Sequence, residues 1–169
     1  MMLQLSLSLD SSLLVRDVKG DYRPANADEV LQAARRVLAR QMRGCEALTS
    51  PQVVRDFLRV KLGTLEHEVF AVIHLDAQNR VIDYVEMFRG TVSQTSVYPR
   101  EVVKEALAMN SAALLLVHNH PSGVAEPSRA DEMLTQTLKS ALALVDVRVL
   151  DHLIVAGSAI LSFAERGLL

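Results

Sequence analysis

AALLLVHNHPSGVAEPSRAD, residues 112–131, passes from an uncharged run into two histidines, a turn and a capped helix start. Ala112 to Val117 is small and apolar throughout and reads as a buried strand. It runs straight into His118 and His120, which are two apart, so both imidazoles leave one face. Pro121 and Gly123 then break the strand and turn the chain. Asp131 returns in the first turn of the next helix, where a carboxylate is favoured. Two imidazoles and one carboxylate, with no fourth protein ligand, match a catalytic zinc that keeps an open water position. A structural zinc is normally closed by four ligands, usually thiolates, and the chain has a single cysteine, Cys45. Each residue also has a plainer reading. Ser128 and Asp131 alone make a capping box, and a His-x-His pair alone can be two polar residues at a strand end. Only a shared ion accounts for all of them together.

Working outward, strands and helices interleave on both sides. Upstream lie two strands, about Glu68–Asp76 and Arg80–Val92, joined as a hairpin by Asp76-Ala77-Gln78-Asn79. Pro99 starts a helix that runs to about Met109. Downstream, a helix over about Ser128–Leu144 precedes strands near Val147–Val155 and Ile160–Phe163. This order predicts an α/β fold, a mixed sheet with flanking helices. Near the start, residues 1–25 read as a strand or arm ending in a turn at Gly20, Asp21 and Pro24. Asn26 caps a helix whose Val30, Leu31, Ala34, Val37 and Leu38 follow the 3.6 period. Ser50-Pro51 opens another helix, which ends at Gly63.

Bulk properties narrow the class further. The 169 residues are half apolar and nearly charge-balanced, at −2. One domain of that size buries a substantial core, and disorder is excluded. There is no global pull toward phosphate backbones. Arg35, Arg36, Arg40 and Arg43 form a local basic cluster that nucleic acid would suit. Their place late in a helix begun by Asp28 and Glu29 is equally the order that complements the helix dipole. A lone thiol fits a reducing cytoplasm. The opening MMLQLSLSLD alternates Leu3, Leu5, Leu7 and Leu9 with polar residues, which is strand periodicity rather than a signal peptide. No run approaches 18 uncharged apolar residues, so no membrane span is expected. Exposed strand edges, the alternating N-terminus included, offer a route to a homodimer.

Other metal hydrolases fit poorly. Zinc deaminases need a Pro-Cys-x-x-Cys that this chain lacks, and barrel hydrolases typically need about 250 residues. The pattern His-x-His-Pro-x6-Ser-x-x-Asp instead resembles the JAB/JAMM (MPN-plus) metallopeptidase family. The surrounding EVFAVIHLD, FRGTV, YPREVVKEAL, HNHPSG, EPSRAD and LDHLIV look like its bacterial RadC-like branch, over about Glu66 to Leu169. The resemblance implies a curled mixed sheet of the JAB/MPN (cytidine-deaminase-like) architecture, with residues 1–62 as arm and helical lead-in and 63–169 as the hydrolase domain. It also implies one Zn2+ and hydrolysis of peptide or isopeptide bonds in an unidentified substrate. By position, His118, His120 and Asp131 match the metal ligands. Ser128 matches the serine that stabilises the tetrahedral intermediate, and Glu68 the glutamate that activates the water; Glu66 and Glu86 compete for that last role. Those roles are chemically coherent, because zinc brings the pKa of its water to about 7 and a carboxylate can carry the proton.

Asp151-His152 looks like a family feature that either buttresses a ligand or forms a satisfied strand pair. His67 and His74 read as structural or exposed. Asn119 departs from the Ser or Thr more common in peptidase branches, which implies altered substrate contacts. Longer RadC-like proteins carry an upstream helix-hairpin-helix module associated with DNA. Residues 1–60 show no Gly-x-Gly hairpin of that kind, which weakens the rival reading of a DNA-associated accessory protein with a vestigial metal site.

Overall fold

A computed structural model describes residues 13–44, 51–90 and 96–169, without the side chains of 42–44. The strand expected at Leu3–Leu9, Cys45, the cap expected at Ser50, and Thr91-Val92 at the end of the second hairpin strand lie outside the described residues. Two short strands, β1 (Leu14–Arg16) and β2 (Tyr22–Pro24), pair as an antiparallel hairpin. Helix α1 (Ala27–Gly44) follows. Its start is the expected one: Asn26 Oδ1 accepts from Glu29 N at 2.9 Å, and Glu29 Oε2 answers Asn26 N at 2.9 Å, a reciprocal cap. Helix α2 (Pro51–Leu62) ends at Gly63.

Among the described residues, the main sheet has five strands: β3 (Val69–Leu75), β4 (Val81–Arg89), β5 (Ala113–Asn119), β6 (Arg148–Ala156) and β7 (Ala159–Ser162). Their order is β4-β3-β5-β6-β7, with every neighbouring pair antiparallel except β5 and β6. Helix α3 (Pro99–Ala108) precedes β5, α4 (Arg129–Ala143) makes the crossover to β6, and a short α5 (Phe163–Arg166) that the sequence did not foretell closes the chain. This is the mixed α/β sheet with flanking helices that the interleaving predicts. No helix among the described residues is long and apolar enough to cross a membrane.

The central strands β3 and β5 are buried on both faces, which explains their unbroken apolar runs. Alternation sorts them. Ala71, Ile73, Leu75, Leu115 and Val117 pack against Val54, Phe57, Leu58 and Leu62 of α2. Phe70, Val72, Leu114 and Leu116 pack against Val102 and Ala106 of α3 and Leu138 and Leu142 of α4. Each fully buried Leu or Phe contributes about 1.5–3 kcal/mol. The same parity carries His118 onto the α4 face. Strand β6 would miss that face but for a register slip between Leu114 and Leu115, opposite Val149 and Asp151. One extra residue inverts the alternation, so Val149 and His152 both look toward α4.

The α2 terminus meets the β6–β7 turn closely. A Cβ built on Gly63 would sit 2.5 Å from the Gly157 carbonyl oxygen and 2.6 Å from that of Arg59, both backbone atoms. Gly63→Ala is therefore expected to cost about 1–3 kcal/mol and to lower Tm by several degrees in a thermal melt. A Tm equal to the parent's would mean the two backbones separate freely.

Candidate metal centre

His118 belongs to β5 and is nearly buried. His120 lies one residue past the strand. Its N–H still donates to the Val155 carbonyl at 2.8 Å, and its own carbonyl accepts from Gly123 N at 3.1 Å. That tight turn places Gly123 at φ 78°, a region that suits glycine. Asp131 stands at the third position of α4, behind its cap Ser128. The three meet. His118 Nε2 is 2.9 Å from His120 Nε2 and 3.3 Å from Asp131 Oδ1, and His120 Nε2 is 3.7 Å from Asp131 Oδ2. Among the described residues they form the one cluster of three such side chains able to hold a metal ion.

Hydrogen bonds on the far side of each ring fix what the near side offers. His120 Nδ1 lies 2.8 Å from the Val124 carbonyl, which can only accept, so Nδ1 carries the proton. For His118 a chain of three groups fixes the tautomer. Thr135 Oγ1 donates to the Asp131 carbonyl at 2.6 Å, so it must accept from His152 Nδ1, 2.6 Å away. Burial pushes the pKa of His152 well below its ordinary value and keeps the ring neutral, so its Nε2 is an acceptor. His118 Nδ1, 2.8 Å from that atom, is therefore the donor. In their neutral forms, His118 and His120 then present bare Nε2 lone pairs to each other.

Two lone pairs at 2.9 Å repel unless a positive centre lies between them. A proton can serve, and the pKa of His120 is raised, chiefly by its hydrogen bond with Asp131. A divalent cation serves equally. A tetrahedral ion bound at about 2.0–2.1 Å requires nitrogens about 3.3 Å apart, which a small rotation of the half-buried His120 provides. The residues fit a metal ion.

Asp131 satisfies both readings of its position. Ser128 Oγ accepts from Asp131 N at 3.2 Å and donates to Asp131 Oδ2 at 2.6 Å, while Ser128 N donates to the same oxygen at 2.7 Å. The capping box uses Oδ2 and leaves Oδ1 turned to His118. Burial alone would raise the pKa of Asp131, but its contacts with the His118–His120 pair, which can share one proton between their Nε2 atoms, and its hydrogen bond from Ser128 hold it far below the usual carboxylate range. In this arrangement the Ser128 hydroxyl proton is already engaged.

Glu68 stands just before β3. Its carbonyl accepts from Gly90 N at 2.8 Å, and its charge helps to raise the pKa of His120. Of its competitors, Glu86 pairs with Lys61 of α2 at 2.8 Å, on the opposite face of the sheet, and Glu66 is exposed. His67 is half-buried, and His74 is fully buried with Nδ1 2.8 Å from Ser111 Oγ.

The structure divides the Asp151-His152 pair. His152 backs His118, wedged against the Phe163 ring with centroids 4.7 Å apart. Asp151 turns away, taking Ser162 Oγ at 2.5 Å and Ala164 N at 3.0 Å. Sequence reasoning missed Thr135. Its position four residues after Asp131, on the same helix face, was the available signal. His152→Phe preserves bulk and removes the acceptor for His118. Affinity for a divalent ion is expected to fall about ten- to a hundredfold, read by competition with a chromogenic chelator. Unchanged affinity would reduce the relay to packing.

Comparison with known proteins agrees with this geometry. The sequence model of the RadC-like JAB domain matches residues 48–168. A UPF0758 protein of Leptothrix cholodnii is 62% identical over 158 residues, which cover 92% of this chain and 71% of that protein. A UPF0758 protein of Methylibium petroleiphilum is 60% identical over 150 residues, 89% of this chain and 68% of its own length. One from Aromatoleum aromaticum is 62% identical over 146 residues, 86% of this chain and 65% of its own. With the matched segment running from α2 through α5 and holding the whole His-His-Asp cluster, the chain belongs to the RadC-like JAB domain family.

Proposed function

We propose that this chain is a zinc-dependent hydrolase of peptide or isopeptide bonds. The observation that carries the reading is the pair of bare Nε2 lone pairs, locked by their outer hydrogen bonds and completed by Asp131 Oδ1. Two imidazoles and one carboxylate are the donor set of zinc hydrolases with an open coordination position. The ligand side chains retain 10% (His118), 16% (His120) and 17% (Asp131) exposure, so the cluster can be reached from solvent.

A bound zinc supplies Lewis acidity and an acidified water. The protein's share is proton handling and charge placement. Glu68 takes a proton from the attacking water as its oxygen bonds to the acyl carbon. It returns that proton to the nitrogen when the C–N bond breaks, leaving a carboxylic acid and an amine, which become carboxylate and ammonium when the acid's remaining water-derived proton passes to the amine. Ser128 can donate to the oxygen that gathers charge, provided its hydroxyl turns from Asp131 Oδ2. His152 and Thr135 keep His118 in the tautomer that leaves Nε2 bare.

A nucleic-acid role has less built support. Arg35, part of the basic cluster, donates Nε to the Val60 carbonyl at 3.1 Å and so ties α1 to α2. The test is to offer zinc-loaded protein a library of internally quenched peptides and a set of Nε-aminoacyl-lysine isopeptides. Zinc-dependent cleavage that Glu68→Gln abolishes is expected. Stoichiometric zinc with no cleavage in either set would overturn the hydrolase reading.

A further inference from the structure

We infer that Asn119, the middle residue of the His-x-His, is the positioning residue that holds Glu68 over the metal ligands. This rests on the reading of Glu68 as general base. The Asn119 side chain is turned to protein main chain, not to solvent. Asn119 is 1% exposed, and both ends of its amide are spent on the main chain at the entry to β3. Oδ1 accepts from Val69 N at 2.7 Å, and Nδ2 donates to the His67 carbonyl at 3.0 Å. Those two backbone groups flank Glu68.

The pattern is that of a residue in a parallel ladder, where one amide spans the carbonyl before and the N–H after the residue opposite. Here a side chain supplies the rung. Backbone pairing of β3 with β5 stops at Phe70 and His118, so Glu68 would otherwise lie beyond the sheet. On its other edge, Gly90 N holds the Glu68 carbonyl at 2.8 Å. The main chain around Glu68 is thus clamped from both sides, and one clamp sits between the two ligand histidines. A shift of His118 and His120 carries Asn119 with it, and Asn119 carries Glu68. Base and ligands share one rigid unit, as a reaction sensitive to ångström misplacement requires. A Ser or Thr hydroxyl is too short to bridge both backbone groups.

The affinity of the site for metal does not need this clamp. His118 is fixed by His152 and by its place in the ladder, and His120 by Val124 and Val155. Asn119→Leu, close in volume, removes both hydrogen bonds; Asn119→Ser is the milder second variant should the leucine form not fold. Each is compared with the parent by backbone amide exchange. Each is also loaded with Co2+ as a paramagnetic probe, with 13C-carboxyl-labelled glutamate assigned through Glu68→Gln. Exchange at Val69 is expected to quicken about tenfold or more while Val72 keeps its protection. Relaxation of the Glu68 carboxyl carbon by cobalt should drop severalfold, with Co2+ stoichiometry unchanged. A Glu68 signal relaxed as strongly as in the parent would overturn the proposal. So would loss of cobalt, since Asn119 would then be serving the ligands themselves. Separately, parental turnover by Glu68→Gln would remove the base, and with it what Asn119 is inferred to hold, whatever the relaxation data show.

Discussion

Asp131→Ala is expected to lose its metal while the fold survives. Zinc bound by small protein sites contributes an apparent free energy of about 10–16 kcal/mol, and a third of that corresponds to about 10²–10⁴-fold in affinity. His118 and His120 alone would retain zinc too weakly to survive dialysis against a mild chelator. Elemental analysis then gives near-equimolar zinc in the parent and almost none in the variant. The plain capping reading predicts something different. Losing a cap costs about 1 kcal/mol and leaves metal content untouched. Asp131→Asn separates the two, because an amide oxygen can still accept from Ser128 N while its charge is gone. Stoichiometric zinc in Asp131→Asn and Asp131→Ala alike would reduce Asp131 to a helix cap.

The pH dependence of that stabilisation has a definite sign. Without metal, Asp131 is held below its ordinary pKa of 3.8. Its contribution to stability is therefore present above 3.8 and lost as pH falls through the lower folded value. His120 is held above 6.5. Its contribution is complete below 6.5 and lost as pH rises through the raised folded value. The metal-free cluster thus stabilises the fold most between these limits, with a proton where a cation would sit. A metal must displace that proton. The gain in Tm on adding zinc is expected to be small at pH 5.5 and larger at pH 8, and to vanish in Asp131→Ala.

How much of this was legible in the sequence depends on the range of the interaction. Strand β5 announced itself because a strand buried on both faces has no polar alternation to hide it, and α4 because Ser128 and Asp131 cap within four residues. The reciprocal cap of Asn26 and Glu29 is equally local. The meeting of His118 with Asp131 was legible only through the logic of metal ligands, which supplies a reason for distant residues to converge. The support behind them was not. His152 reaches His118 because one residue of β6 is looped out opposite Leu114 and Leu115, and no local pattern fixes a bulge. Without it, parity would aim His152 at α2. Asn119 stood out in the sequence only as a departure from the Ser or Thr of the peptidase branches that the chain resembles, which implies altered substrate contacts. Its partners, Val69 and His67, lie some fifty residues away and are backbone groups, which leave no mark on side-chain patterning.

Glu68→Gln is expected to keep zinc and lose turnover, by about 10²–10⁴-fold, the usual contribution of one general base. The variant isolates the chemistry because an amide has nearly the shape of the carboxylate and cannot take a proton near neutrality. The backbone clamps on Glu68, from Asn119 and from Gly90, hold main-chain atoms and are indifferent to the change. Zinc content should match the parent, since Glu68 is outside the cluster of His118, His120 and Asp131. With positioning and metal preserved, the loss should fall on kcat with KM little changed, as for an interaction made in the transition state. Glu66→Gln and Glu86→Gln are the controls. Glu86 faces Lys61 across the sheet and Glu66 is exposed, so both should turn over at about the parental rate. A kcat for Glu68→Gln near the parent's, on the same cleaved peptide and at equal zinc loading, would remove Glu68 from the mechanism. The collapse appearing in Glu66→Gln instead would move the base two residues along the chain, out of the reach of the Asn119 amide.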